Sequence, residues 1–408
     1  MLPPRPNLRI LYITGHVPYA QAYGAQLRVL NLARQLGKLG RVSMVLVLPE
    51  GFEPDGLAST REEFCLKYIA RTRPAPHRGL IERVRHELDP DFMNTNCESV
   101  SEEDRRAVQE LMAQHDVVWV HTVRVANAFR IHRWPHTVLD IDDLPSGVYK
   151  TGTQKTTLAR SLLDRRMAFI WSRRERALRK RFDVLAVCNP SDRDQLQGDT
   201  QVHLVRNGFS NPTRVVSRCT ASPPRLGFIG LMQYAPNRLG IEWFIERVWP
   251  SIRRQTPAAR LRVVGRGAEM LAVADDHIDL LGYLEDPAAE ISTWSGMIVP
   301  IRTGGGTRMK IADAFSKRCP VVSTSFGADG YEVKDGDEVL LADEPAGFAQ
   351  ACVRLLNDHE LGERLAASAW QRFSRQWTWD AIGSSAAAAV GACAAAMPAP
   401  SADCVLPG

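Results

Sequence analysis

Arg308 and Lys310 stand two residues apart directly behind three consecutive glycines, in the stretch Thr303-Gly304-Gly305-Gly306-Thr307-Arg308-Met309-Lys310. Glycines let the main chain approach a ligand closely and supply positive φ. The first turn of a following helix leaves amide N–H groups unpaired at the positive end of its dipole. Two cations at that place make a site for a phosphate or diphosphate; the plainer reading of the same residues is a tight turn with two solvated cations. His121 closes the apolar run Asp116-Val117-Val118-Trp119-Val120-His121. The carboxyl end of a strand is where open α/β sheets bind ligands, although a lone histidine there is equally a structural hydrogen-bonder. Asp140-Ile141-Asp142 has the D-x-D spacing that can hold a metal with a diphosphate, and Asp142-Asp143-Leu144-Pro145 equally suits a loop with capping acids. Gly265-Arg266-Gly267 lacks the third glycine and the downstream acid of a dinucleotide fingerprint. No G-x-x-x-x-G-K-S/T and no G-x-S-x-G occurs. Hydride transfer, P-loop phosphoryl transfer and serine-hydrolase chemistry are therefore disfavoured.

What must position these residues is a series of βα units. Residues 8–13 form a short β-rich run that breaks at Thr14-Gly15-His16-Val17-Pro18. From about Ala25, Leu27, Leu30, Asn31, Ala33 and Leu36 keep helical spacing until Gly37 and Gly40. Residues 42–48 are a nearly continuous apolar strand, as expected when both faces are covered. Runs at 116–121, 137–141 and 183–187 continue the pattern and predict a parallel, doubly wound sheet. Residues 49–110 are rich in charge and proline and read as a surface insertion, with Arg71, Arg73, Arg78, Arg83 and Arg85 inside it. Between 155 and 181, ten Lys or Arg stand against two acids, and Leu163, Met167, Ile170, Trp171 and Leu178 lie near one helical stripe. That segment reads either as a core-packed helix with a solvated charged face or as a basic surface for an anionic lipid or acceptor.

The turn cluster at 206–212 and the polar residues 220–224 mark a domain boundary. A second βα series follows, with strands at 225–229, 261–264, 278–281, 297–301, 321–323 and 338–341 and helices such as 239–253 and 346–356. The expected architecture is α/β, two Rossmann-like doubly wound domains facing each other across a cleft that holds the ligand. Residues 1–215 form the first, completed by a C-terminal helix at about 375–396. Residues 216–374 form the second, and 397–408 are expected to be a disordered tail.

The 408-residue length favours two or three domains, and 45% hydrophobic with 24% charged residues is the composition of a globular protein. A net charge of +5 is too mild for a dedicated nucleic-acid binder, so nucleic acid is not expected as a partner. Eight cysteines without a C-x-x-C pair argue for a reducing compartment and against a zinc site. No signal-peptide pattern is present, and no apolar run reaches the ~20 residues of a spanning helix. The expected location is the cytoplasm, with peripheral attachment to the inner face of the membrane left open through the basic 155–181 segment.

Two Rossmann-like halves with a basic glycine loop in the second make the sequence resemble the GT-B glycosyltransferases, and more narrowly their retaining group 1 (GT4-like) family. The resemblance is densest over 226–379. It rests there on Gly227-Phe228-Ile229-Gly230, Ala235-Pro236-Asn237, Val263-Val264-Gly265-Arg266-Gly267, Gly282-Tyr283-Leu284-Glu285-Asp286, the glycine loop, and Phe326-Gly327-Ala328-Asp329-Gly330. In the first half it rests on 18–28, 116–121, 140–146 and Asn207-Gly208.

The resemblance implies a hexosyltransferase that moves a hexose from a nucleoside-diphosphate sugar to a hydroxyl of a saccharide or lipid-linked acceptor, with retention, in polysaccharide or glycoconjugate biosynthesis. The second half would bind the donor and the first would present the acceptor. Arg308 and Lys310, with the amides of Gly304, Gly305, Gly306 and Thr307, would neutralise the leaving diphosphate, so that neither a metal nor a cofactor is needed. The resemblance further implies that Asp313 holds the donor ribose, that Gly230 and Arg266 line the nucleotide pocket, and that His121 reaches the transferred sugar. Gly24 would lie near that sugar, in Gly24-Ala25 where the family has two glycines. The sequence departs from the family's paired glutamates, since Gly305 stands for the first and Asp313 for the second. Two other readings stay open: a nucleotide-sugar epimerase on the same scaffold, and a non-catalytic donor-binding partner of another glycosyltransferase.

Overall fold

The computed structural model describes residues 8–19, 25–74, 79, 81, 98–142, 144–151, 158–196, 201–209, 218–304 and 309–395. Contacts divide the chain into two units. One takes in the chain up to Arg206 together with the final helix from Ile382, and the other is Asn207–Ala381.

The first unit is built on an eight-stranded sheet. Its strands are β1 Arg9–Thr14, β2 Arg41–Pro49, β3 Cys65–Pro74, β4 Glu98–Ser99, β5 Val117–His121, β6 Trp134–Ile141, β7 Phe182–Val187 and β8 Gln201–Leu204. They lie in the order β4-β3-β2-β1-β5-β6-β7-β8, parallel throughout except between β3 and β4. Apolar side chains alternate to both faces of β1, β2 and β5, where burial is continuous, because helices cover the sheet on each side. The order reverses between β1 and β5, the place at which open α/β sheets bind ligands.

Residues 49–110, expected as a surface insertion, instead supply part of this sheet. Strand β3 pairs with β2 along seven residues, and the capped helix Glu102–Ala113 follows β4. The charges in β3 are compatible with a strand beside the sheet edge: Arg71 reaches Glu53 and Arg73 reaches Glu50, both at 2.8 Å and out in solvent. Arg78, Arg83 and Arg85 lie outside the described residues.

The second unit holds a six-stranded parallel sheet in the order β11-β10-β9-β12-β13-β14. Its strands are β9 Arg225–Ile229, β10 Arg260–Val264, β11 Ile278–Gly282, β12 Gly296–Val299, β13 Val321–Ser323 and β14 Leu340–Leu341. The reversal of order falls between β9 and β12. A single core buries Phe228, Phe244, Trp249, Trp294, Phe315 and Trp377. Trp294 packs directly against Gly227, where any Cβ would overlap the indole at 2.0 Å. The helix expected at 239–253 starts earlier, at Ala235, and passes through a π-helical turn, Phe244–Val248, before Trp249–Gln255. Pro250 explains the widened turn, since it has no amide to donate and its ring crowds the carbonyl one turn back. The tail expected at 397–408 lies outside the described residues.

Candidate functional site

In the first unit a charged cluster sits on the carboxyl ends of β1, β5 and β6. The parallel register sets Thr14 beside His121 and His121 beside Asp140. Arg28 reaches this edge from helix Ala25–Gly37, where it occupies the inward stripe among Val29, Leu30, Leu32 and Ala33. Its Nη2 and Nε donate to the two carboxylate oxygens of Asp140 at 2.6 and 3.2 Å, and Nε also lies 3.1 Å from Asp142 Oδ1. Arg28 further donates to the carbonyls of Val205 and Arg206 at 3.0 and 3.1 Å. Burial works against the guanidinium charge, yet the two aspartates more than offset it and leave its pKa raised.

Asp142 in turn meets His121, with Oδ2 and Nε2 3.2 Å apart. Burial opposes the carboxylate, but the hydrogen bond and charge of His121 and the charge of Arg28 hold it below the usual carboxylate range. A nitrogen facing a carboxylate carries a proton, so Nε2 donates to Asp142. His121 is fully buried, and its Nδ1 has no hydrogen-bond partner among the described residues. The His16 ring packs edge-on at 5.5 Å from His121, and its pKa is lowered by burial and by the neighbouring imidazole. Thr122, immediately after His121, holds φ at 117°, a strained value for a residue with a Cβ.

In the second unit the carboxyl ends of β9, β10 and β11 run into glycines. Gly230 N donates to Val264 O at 2.9 Å and Gly265 N to Gly282 O at 2.7 Å. Gly265 has φ 135°, and a Cβ there would stand 1.9 Å from Gly230 O. Lys310 comes to this floor from helix Met309–Ser316. Its Nζ donates to Asn237 Oδ1 at 2.6 Å, its Cε lies where a Cβ on Gly230 would be 3.2 Å away, and the ammonium sits 5.6 Å from the Phe228 ring centroid. Burial pulls the Lys310 pKa down to about 8, with only Asp313 opposing. Gly304, at φ 121°, nestles against Pro236 and the Tyr234 hydroxyl. The Arg266 guanidinium stacks 4.6 Å over the exposed Tyr283 ring. Asp313 is held by Lys317, four residues on and just past the end of its helix.

Gly230, Arg266, Gly304 and Lys310 thus gather at one edge of the second sheet, with Asp313 a turn beyond Lys310, while His121 ends a central strand of the first. Gly24, Gly305, Gly306, Thr307 and Arg308 lie outside the described residues. Both aspartates of the D-x-D stretch are engaged by Arg28 and His121. Sequence reasoning missed Arg28, His16 and the pairing of Asp142 with His121. It quoted Asn237 only as part of a motif, although its side chain anchors Lys310 while donating to Leu231 O at 2.9 Å. One signal was available for Arg28: an arginine inside the apolar stripe of a helix demands a buried carboxylate.

Residues 223–358, which carry β9 to β14 and this glycine-floored edge, match the family model described as glycosyl transferases group 1. An uncharacterized 44.6 kDa protein in the cps region of Klebsiella pneumoniae is 27% identical over 135 residues, and the match spans only 34% of that protein's length. Among solved structures, sucrose-phosphate synthase from Thermosynechococcus elongatus superposes with a TM-score of 0.63 at 17% identity, covering 92% of this chain and 96% of that one. TarM of S. aureus, solved with α-GlcNAc-glycerol and UDP, gives 0.62 at 10% identity over 93% and 99%. HepE of Anabaena, solved with UDP and glucose, gives 0.57 at 14% identity over 94% and 100%. The fold is therefore of GT-B type, α/β with two parallel-sheet units, and the stretch that matches the group 1 glycosyltransferase model lies in its second unit.

Proposed function

We propose that the protein is a retaining glycosyltransferase that moves a hexose from a nucleoside-diphosphate sugar to a hydroxyl of a saccharide or lipid-linked acceptor. The observation that carries this reading is Lys310, a largely buried ammonium held by Asn237 against a floor of glycine backbone, inside the segment that matches the group 1 family. Such a cation, with no carboxylate bound to it among the described residues, is costly until an anion arrives, and a diphosphate is the anion whose charge grows as the sugar departs. Stabilising that charge favours the transition state over the bound donor, which is the requirement for catalysis.

In this reading Arg308 and the Gly304–Thr307 amides share the diphosphate with Lys310, and Arg266 with Tyr283 flanks the nucleotide. Asp313 takes the ribose, and Gly24 lies near the sugar. His121 reaches a sugar hydroxyl, with Asp142 holding its ring in place through Nε2. No step calls for a metal or a cofactor, and the departing diphosphate accepts the acceptor's proton on the face it leaves, which retains configuration. The location is cytoplasmic, and polysaccharide or glycoconjugate biosynthesis supplies the setting, a proposal supported by the cps-region relative.

The decisive measurement is release of nucleoside diphosphate from a panel of nucleotide sugars in the presence of a cell-extract acceptor fraction. Lys310→Ala is expected to lower kcat by about 10²-fold or more, the scale of losing one stabilising donor. Turnover within a factor of two of wild type would sink the assignment, and conversion of the donor without acceptor would point to epimerisation instead.

A further inference from the structure

Helix Leu158–Arg181 of the first unit has an outward face that the proposed chemistry does not use. Leu162, Arg166, Phe169, Arg173, Arg176 and Lys180 recur at four- and three-residue spacing and all are exposed. At 3.6 residues per turn they fall within about 80° of the helix surface. Two features separate this face from an ordinary solvated one. Its apolar residues are large and open, with Leu162 65%, Phe169 68% and the adjacent Leu163 47% exposed, although Leu163 reads from the sequence as part of the buried stripe. The helix's acids, moreover, both turn inward.

Asp164 and Glu175 are buried. Glu175 accepts from the amide and hydroxyl of Ser146 at 2.8 and 2.6 Å and from Gln195 at 3.0 Å. The inner side is further fixed by Ile170, Trp171 and Leu178 in the core and by Arg181, which donates to Asn127 Oδ1 at 2.7 Å. The outer stripe is left with cations, large apolar groups and no acid, and Arg165 widens it. Water gives no gain for exposing a phenylalanine and two leucines there. An anionic bilayer surface rewards both components, because the apolar side chains enter the headgroup boundary while the cations meet lipid phosphates.

We infer that this stripe seats the protein on an anionic lipid surface, with the helix lying in the plane of the membrane. Among the described residues no helix is long and apolar enough to cross a membrane, so the contact is peripheral. This goes beyond the glycosyl-transfer reading and stands without it, since lipid binding is measured with no donor present.

The test is co-sedimentation of the full-length protein with vesicles of phosphatidylcholine alone or mixed with phosphatidylglycerol. Partition is expected to favour the phosphatidylglycerol vesicles and to weaken with salt. Arg173→Ala with Arg176→Ala should cost about fivefold in partition per cation. Leu162→Ser with Phe169→Ser should cost more than about tenfold at unchanged charge. Both pairs should keep the wild-type unfolding temperature, since the side chains are exposed. Equal partition onto both vesicle types, or wild-type partition by both pairs, overturns the inference. So does binding to polyglutamate with no vesicle binding, which would make the stripe a dock for an acidic protein.

Discussion

Lys310 combines a lowered pKa with a neutral amide partner, and the two together make its charge sensitive to pH near neutrality. Burial sets the value at about 8, against an ordinary 10.5 in the unfolded chain. Between about pH 8 and 10.5 the unfolded chain binds more protons at this residue than the folded one, so the group's effect on apo-protein stability improves as pH rises through that window. Ligand affinity moves the other way, because a diphosphate needs the ammonium. Calorimetric titration of a nucleoside diphosphate is expected to show affinity falling once the pH passes about 8. Lys310→Arg, which stays charged, should remove that inflexion, and its persistence in the variant would assign it to another group. At this scale the sequence was only half readable. Lys310 could be picked out because it follows a glycine loop, and His121 because it ends an apolar run. The clasp of Arg28 on Asp140 spans 112 residues of chain, and no local spacing announces it. Asp142 accordingly read as one half of a D-x-D pair, whereas its oxygens face Arg28 and His121.

Strands β1, β2, β5, β6 and β7 were legible because burial on both faces leaves an unbroken apolar run, which little else in a sequence imitates. Strand β3 was not, because Lys67, Arg71 and Arg73 interrupt it and the alternation of a strand near the sheet edge resembles a polar loop. The glycines that end β9, β10 and β11 are where element geometry and site geometry coincide. Gly265→Ala would place a methyl group against Gly230 O while holding an L residue at φ 135°. Its expected cost is about 2–5 kcal/mol with loss of nucleotide binding. Gly336, at φ 78° and with nothing within 4 Å of the position a Cβ would take, provides the comparison. Gly336→Ala should cost only about 1–2 kcal/mol and leave binding intact, both read by thermal unfolding with and without nucleoside diphosphate. Equal costs at the two positions would show that backbone conformation, and not the close approach of the strands, limits Gly265.

At the scale of the molecule, the chain leaves the first unit at Arg206 and re-enters it at Ile382. The final helix, Trp379–Ala395, buries Ile382, Ala386, Ala389, Val390 and Cys393 at helical spacing. Gly383 lies so near Gln35 that a Cβ would be 2.4 Å from its side-chain oxygen. A chain ending at Ala381 should therefore lose stability in the first unit alone. Scanning calorimetry of the truncated protein is expected to show one transition lowered by more than about 5 °C and a second unchanged. A shift of both by the same amount would mean that the helix supports the two units equally. The helical character of this segment was plain from its alanines, and it was expected to complete the first domain, although the packing that attaches it is long-range and is not encoded in composition.

The glycine floor of the second sheet also divides the surface into parts of unequal mutational freedom. Where Gly230 and Gly265 meet, the surface offered to a ligand is main chain, so nearly every substitution there is excluded whatever molecule is bound. Leu231, Tyr234, Met270 and Tyr283 stand exposed on the loops that rise from the same strand ends. Descendants of this chain can exchange those side chains without disturbing the floor, so changes of substrate preference are to be sought on the rim.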